Sequence, residues 1–269
     1  MRDDTIPAMM NVGKCVGVEG DVFVRSPILG DGPLVRGAYI QVEDQILTRD
    51  NSYVHIQFLD NSKFALSAHS QLSIDAFSFA HENNEDAAHF TIPHGKFVCI
   101  SGEIASNMGS FTIQARDTSF SLKGARIAGR IESNGEDIMT LLPQLMGPAG
   151  EVLAHSKAAV ASIDRAYQTL RFGGAGHGLS TPLTLPSQVV IDTYAGPGLE
   201  RAFVEPEPDE ADLIDLFQPF DVLSDHFLER QFVSTHVYPN DIRREETSNN
   251  ELLEDSFVGE RFRLKDRER

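Results

Sequence analysis

Between positions 81 and 94 the chain gathers His81, Glu82, Glu85, Asp86, His89 and His94, imidazoles and carboxylates of the kind that hold zinc or a harder divalent cation. Their spacing matches no established ligand pattern, and the run HENNEDAA that carries most of them has the composition of a solvated acidic loop. The simpler reading is therefore a loop and no metal. A glycine-rich run, GGAGHGLS at 173–180, would let backbone amides approach a phosphate, but the lysine that completes a phosphate loop is missing. It reads as a helix stop and a connection. Serine, histidine and aspartate all occur without a Gly-x-Ser-x-Gly elbow, and neither Cys15 nor Cys99 has a neighbouring histidine to activate it. The expectation is a protein with no catalytic, cofactor-binding or metal-ligating residues, one that works by binding.

Composition narrows the partner. With 23 Lys and Arg against 40 Asp and Glu the formal charge is -17, so a nucleic-acid backbone or an anionic membrane surface meets net repulsion. A protein partner remains. Two cysteines allow at most one intramolecular disulfide, which leaves the redox compartment open. Both sit on predicted strands, so they pair if those strands oppose each other in an oxidising compartment and are otherwise buried, reduced thiols. The start, MRDDTIPAMMN, lacks the basic opening and apolar run of a secretory signal, and no stretch of about 18 apolar residues offers a membrane-spanning helix.

The elements that position these residues are mostly short strands. VGVEGDVFVR alternates apolar and other residues around Glu19-Gly20-Asp21, which predicts a hairpin-like opening, with Val16 and Val18 on one pleat face. Turn tips are expected at Arg36-Gly37 and Glu43-Asp44. The clearest strand is YVHIQF, placing Val54, Ile56 and Phe58 on the buried face and Tyr53, His55 and Gln57 on a face read as solvent-exposed. Asp60-Asn61-Ser62 supplies turn chemistry, and a returning strand over 63–66 closes a hairpin. QLSID and FSF continue the alternation. After the acidic loop, FTI, KFVCI, SFTI and SFSL are β-branched or aromatic runs separated by Gly95, Gly102, Gly109 and Gly124.

Beyond Ile131 the pattern changes. Residues 151–171 lack Gly and Pro and place Val152, Ala159, Ile163, Ala166 and Leu170 near a helical stripe, which predicts one amphipathic helix, followed by short strands around 187–191. The chain thus divides into an irregular N-terminus (1–11), a β domain (12–131), a helix-containing extension (132–203) and an acidic C-terminal tail with a basic tip (204–269). Over 200–255 there are 16 acids against 4 Lys or Arg. Within that stretch Leu213, Ile214, Leu216, Phe217 and Phe220 form an apolar cluster able to fold back on the domain or to dock a partner. The fold class expected is mainly β, a small antiparallel sandwich or β-roll of short strands plus one helix.

The ordered pieces VEGDVFVR, VRGAYIQVEDQILT, SYVHIQFLDNSKFALSAHSQLSID, FTIPHGKFVCISGEI and FTIQARDTSFSLKGARIAG resemble the FecR-domain family over about residues 12–130. That family has Asp-Gly at the hairpin turn where this chain has Asp60-Asn61, and a Gly-Ile-Arg-Gly-Thr-like segment where it has Leu122-Lys123-Gly124-Ala125-Arg126. Asn61 still tolerates the left-handed backbone the turn requires. The resemblance implies a bacterial, non-enzymatic β module of the periplasm or cell surface, the missing signal leaving a cytoplasmic location as the alternative. It also implies a second role, signal transduction through a sigma factor. A metal-dependent hydrolase is the weakest option, resting on the histidine and acid cluster alone.

Overall fold

A computed structural model describes residues 11–80, 85–132, 137–144, 148–173 and 178–200. Among the described residues eighteen strands and two helices follow in order: β1 Asn11–Glu19, β2 Val22–Ser26, β3 Gly30–Pro33, β4 Tyr39–Gln41, β5 Gln45–Thr48, β6 Tyr53–Phe58, β7 Lys63–Leu66, β8 Gln71–Ser78, β9 Ala87–Thr91 and β10 Gly95–Ile100. Then come α1 Glu103–Ser106, β11 Ser110–Ala115, β12 Thr118–Lys123, β13 Arg126–Ile131, β14 Asp137–Leu142, β15 Glu151–His155, β16 Val160–Ile163, β17 Gln168–Phe172, β18 Leu183–Thr184 and α2 Ser187–Tyr194.

The strands form two nine-stranded sheets, the first ordered β18-β17-β14-β13-β10-β7-β6-β1-β4 and the second β16-β15-β12-β11-β9-β8-β5-β2-β3. The chain lays one or two strands on the first sheet, crosses, and lays the next on the second. Apart from β3 and β4 on the outer edge, sequence order is spatial order in both sheets. Pairing is antiparallel except between β9 and β11, where the chain visits the other sheet through β10 and α1 in between. The mainly β architecture is the one expected from the alternation.

Alternation buries one face of each sheet against the other. Val54, Ile56 and Phe58 of β6 are fully buried with Leu72 and Ile74 of β8 from the opposite sheet. Phenylalanines bridge the layers: Phe90 of β9 lies with its ring centroid 5.0 Å from Phe58 and 4.8 Å from Phe64, and Phe120 of β12 lies 4.8 Å from Phe172 of β17. Such tilted and edge-on pairs each add roughly 0.5–1.5 kcal/mol beyond the area they bury.

Three local expectations are corrected. The opening is no hairpin, because β1 and β2 belong to different sheets and Gly20, at φ +76, turns the chain across the sandwich. Residues 151–171 form no helix; they make β15, β16 and β17. The signal read as a helical stripe is period-two burial of Val152, Ala154 and Ile163, and the two turns need no glycine. The Ser156 hydroxyl accepts the Ala159 amide, the Gln168 side chain accepts the amides of Asp164 and Arg165, and Tyr167 takes φ +66. Tertiary pairing with β12 and β14 overrides the weak helix preference of alanine. Conversely, 187–191 is not strand but the start of α2, entered from Pro186 and stabilised by Val190 and Tyr194 at i, i+4 on its buried side.

Candidate docking site

The outward face of the first sheet is where the fold departs most from the sequence reading. Across its strands runs a row of register partners, His55, Ala65, Val98, Ala128, Thr140 and Thr169, most of them small. Small side chains leave a trough, and α2 lies in it. Val190, Tyr194 and Leu199 are fully buried there against Ala65, Val98, Ala128, Ile138 and Leu142, a second apolar layer outside the main core.

Polar bonds fix this strap along its length. The Leu185 amide donates to the Tyr167 carbonyl at 3.0 Å, and the Tyr194 hydroxyl lies 2.7 Å from that of Thr140, which is itself 2.7 Å from that of Thr169. Burial pushes the Tyr194 hydroxyl well above the ordinary tyrosine range, with the Thr140 bond opposing the shift. Lys96 donates to the Ala195 carbonyl at 2.8 Å, and the His55 ring donates to the Gly198 carbonyl at 2.9 Å. The face of Tyr53, His55 and Gln57 read as exposed is not open to solvent: His55, bonded to Gly198, is 5% exposed, and Gln57, bonded to the Asn61 side chain, is 1% exposed. Sequence alone gave one usable sign of this, the i, i+4 pair Val190 and Tyr194, masked by the β-branched run around it.

On either side of the trough the sheet carries cations. One row of register partners holds Lys14, Gln57, Lys63, Ile100 and Arg126, and the other holds Lys96, Arg130, Ile138 and Arg171. Beside the second row, between the strands and α2, opens a cleft of about 770 Å³ whose lining includes Arg130, Ile138, Arg171, Leu185 and Val189. Val189 and Leu183 on its rim are 44% and 61% exposed, so apolar surface and positive charge share the mouth. Arg130 reaches Glu132 at 3.2 Å, while the fully buried Asp137 at the cleft floor is ion-paired with Arg116. Among the described residues, the lining brings two guanidinium groups together with apolar side chains.

The other candidates disperse. Of the supposed metal set, His81 and Glu82 lie outside the described residues; Asp86 accepts the Ala80 amide at 2.8 Å and His89 bonds the Thr112 hydroxyl. Among the described residues no three His, Cys, Asp or Glu converge as metal ligands would. Of the glycine-rich run, 174–177 lie outside the described residues, and Ser180 is tied to the backbone of Arg171 in both directions. Cys15 and Cys99 are buried free thiols; in register Cys15 faces Ile56, Ile56 faces Phe64 and Phe64 faces Cys99, so two strands stand between them. Leu213, Ile214, Leu216, Phe217 and Phe220 lie outside the described residues.

Comparison with known proteins bears on the strands that carry this face. Residues 44–142 match the family model described as FecR protein. This stretch is similar to FecR proteins. It takes in β5 through β14, the central strands of both sheets, so His55, Ala65, Val98, Ala128 and Thr140 of the trough and the Lys96 and Arg130 positions lie within the matched stretch, while Thr169 and α2 lie beyond it. Two crystal structures of a candidate anti-sigma factor from Parabacteroides distasonis overlap the chain at 9% identity, with TM-scores of 0.43 and 0.42. Each covers 55% of this chain, and the chain spans 64% and 62% of their lengths, under two thirds. No curated protein matches the sequence.

Proposed function

We propose that this chain is a FecR-type regulator, a non-catalytic β module that works by binding another protein. The observation that carries the reading is the FecR match over 44–142, which falls on the strands that build the docking face. Its supports are physical. Asp60 is tied into its turn, accepting the Ser62 amide at 3.0 Å and hydroxyl at 2.5 Å, and burial pushes up both cysteine thiols. Acid and apolar residues alternate in 205–217, EPEPDEADLIDLF, as in a peptide that docks a groove by charge and side-chain insertion together. The finer reading, drawn from the family, is a sigma factor as the regulated partner and the bacterial envelope as the place of recognition.

The test is photocrosslinking in cells from a position in 213–220 of the full chain, identification of the captured protein, and titration with the purified pair. Saturable binding is expected, weakened tenfold or more by Leu216→Asp with Phe217→Asp. Absence of any saturable partner removes the reading. A captured protein that is neither a sigma factor nor an envelope component removes its finer half.

A further inference from the structure

The six Lys and Arg of the two cation rows lie on one face of a chain whose formal charge is -17. Register on the second sheet gives a contrast: Arg25, ion-paired with Asp31 at 3.7 Å, is followed across the outward face there by Gln45, Ser73, Thr91, Gln114, Ser119 and His155. The outward rows of the first sheet thus carry more Lys and Arg than this row of the second, and Arg130 and Arg171 among them line a cleft with an apolar rim. The acids are concentrated elsewhere in the sequence: 200–255 carries 16 of them, and 205–217 has six acids with no Lys or Arg.

We propose that the acidic, apolar segment 205–217 of this chain docks on its own sheet, in the cleft between α2 and β17, with its carboxylates toward Arg130 and Arg171 and its Leu213, Leu216 and Phe217 toward Ile138, Leu185 and Val189. Where the described chain ends makes this a short path. Gly198 rests against Tyr53 of β6 and Leu199 is buried on the same face, so the segment leaves from the surface it returns to. From β6 to β17 the sheet order gives five inter-strand steps, about 24 Å at ~4.8 Å each. Residues 201–212 can span up to about 40 Å when extended, enough to cover that distance and turn. Tethering raises the local concentration of the segment to the millimolar range for a linker of this kind, so weak individual contacts suffice. The consequence is self-masking: the segment available to a partner is the one held on the face, and a partner must displace it. The inference shares only that segment with the functional reading and stands without any partner.

Pulsed electron resonance on the full chain tests it, with spin labels at Ser187→Cys and Ala211→Cys; Cys15 and Cys99, being fully buried, leave the introduced thiols as the labelling sites. At low ionic strength the inter-label distance distribution is expected to be narrow. It should broaden in strong salt, in Asp212→Arg with Asp215→Arg, and in Arg130→Glu with Arg171→Glu, and narrow again when both pairs are combined. A broad distribution in the unmodified sequence overturns the proposal, as does failure of the charge swap to restore a narrow one in a folded protein. A narrow distance arising only between two singly labelled chains assigns the face to a second copy and likewise overturns it. Should the basic-face variants fail to fold, the tail variants alone decide. A narrow distance without any partner in the crosslinking test sinks the functional reading alone; a broad distance with a saturable partner sinks this inference alone.

Discussion

The imidazole of His55 and the carbonyl of Gly198 meet at 2.9 Å although 143 positions separate them, and this contact pins the end of the strap to the middle of the sheet. Gly198 is there because the backbone turns through φ +76, and a Cβ would collide with the Tyr53 ring. Gly198→Ala combines a left-handed backbone with that clash and is expected to cost about 1–3 kcal/mol. Urea unfolding measures it; an unchanged midpoint would mean that the strap contributes nothing to global stability.

The hydroxyls of Tyr194, Thr140 and Thr169 form a buried chain linking α2 to β14 and β17. Thr140→Val keeps the shape and removes the central hydroxyl, at an expected cost of about 1–3 kcal/mol. Tyr194→Phe should cost less in the Thr140→Val background than alone, because the bond between them is already gone. Additive losses in a double-mutant cycle would show that the two hydroxyls act independently.

Three inter-strand steps separate Cys15 from Cys99, about 14 Å at ~4.8 Å each, against roughly 7 Å for the widest Cα separation a disulfide spans. Burial also pushes the Cys15 thiol up to about 12 and the Cys99 thiol well above its ordinary value. A thiol-reactive dye should therefore label neither in the native protein and both after unfolding, and oxidant should give no intramolecular bridge. Rapid native labelling would contradict the assigned register.

Asp60, fully buried, holds its proton above the ordinary value of 3.8 because burial outweighs the Ser62 bonds that oppose the shift. The folded state then binds that proton more tightly than the unfolded chain, so its contribution is full below pH 3.8 and is lost as pH rises through the folded value. Asp60→Asn removes the titration. Stability curves of the two proteins should converge toward the acid side and separate in favour of the variant as pH rises past that window. Parallel curves would place the shift elsewhere.

The sandwich was legible in the alternation of residues such as Val54, Ile56 and Phe58, since one buried face imposes period two directly. Even the Asp60-Asn61 turn was readable: Asn61 takes φ +62, as a short amide side chain allows. Which sheet each strand joins was not, because Val18 and Val22 look the same whether the turn between them closes a hairpin or crosses the sandwich. The helix misread at 151–171 has a similar cause, in that side chains of Ser156 and Gln168 make turns without the glycine or proline that normally marks them. Of the covered outward face, only the i, i+4 spacing of Val190 and Tyr194 was legible. His55 and Gln57 alternate as exposed residues would, and a segment some 140 positions later folds over His55.

Laying strands alternately on two sheets, in sequence order, means that each new strand finds its neighbour already in place. Such a molecule can consolidate outward from the amino-terminal edge while the ribosome is still supplying the rest. It can also change length in evolution by gaining or losing a hairpin at the far edge, and the strap, which follows the last strand, then marks the last described part to settle.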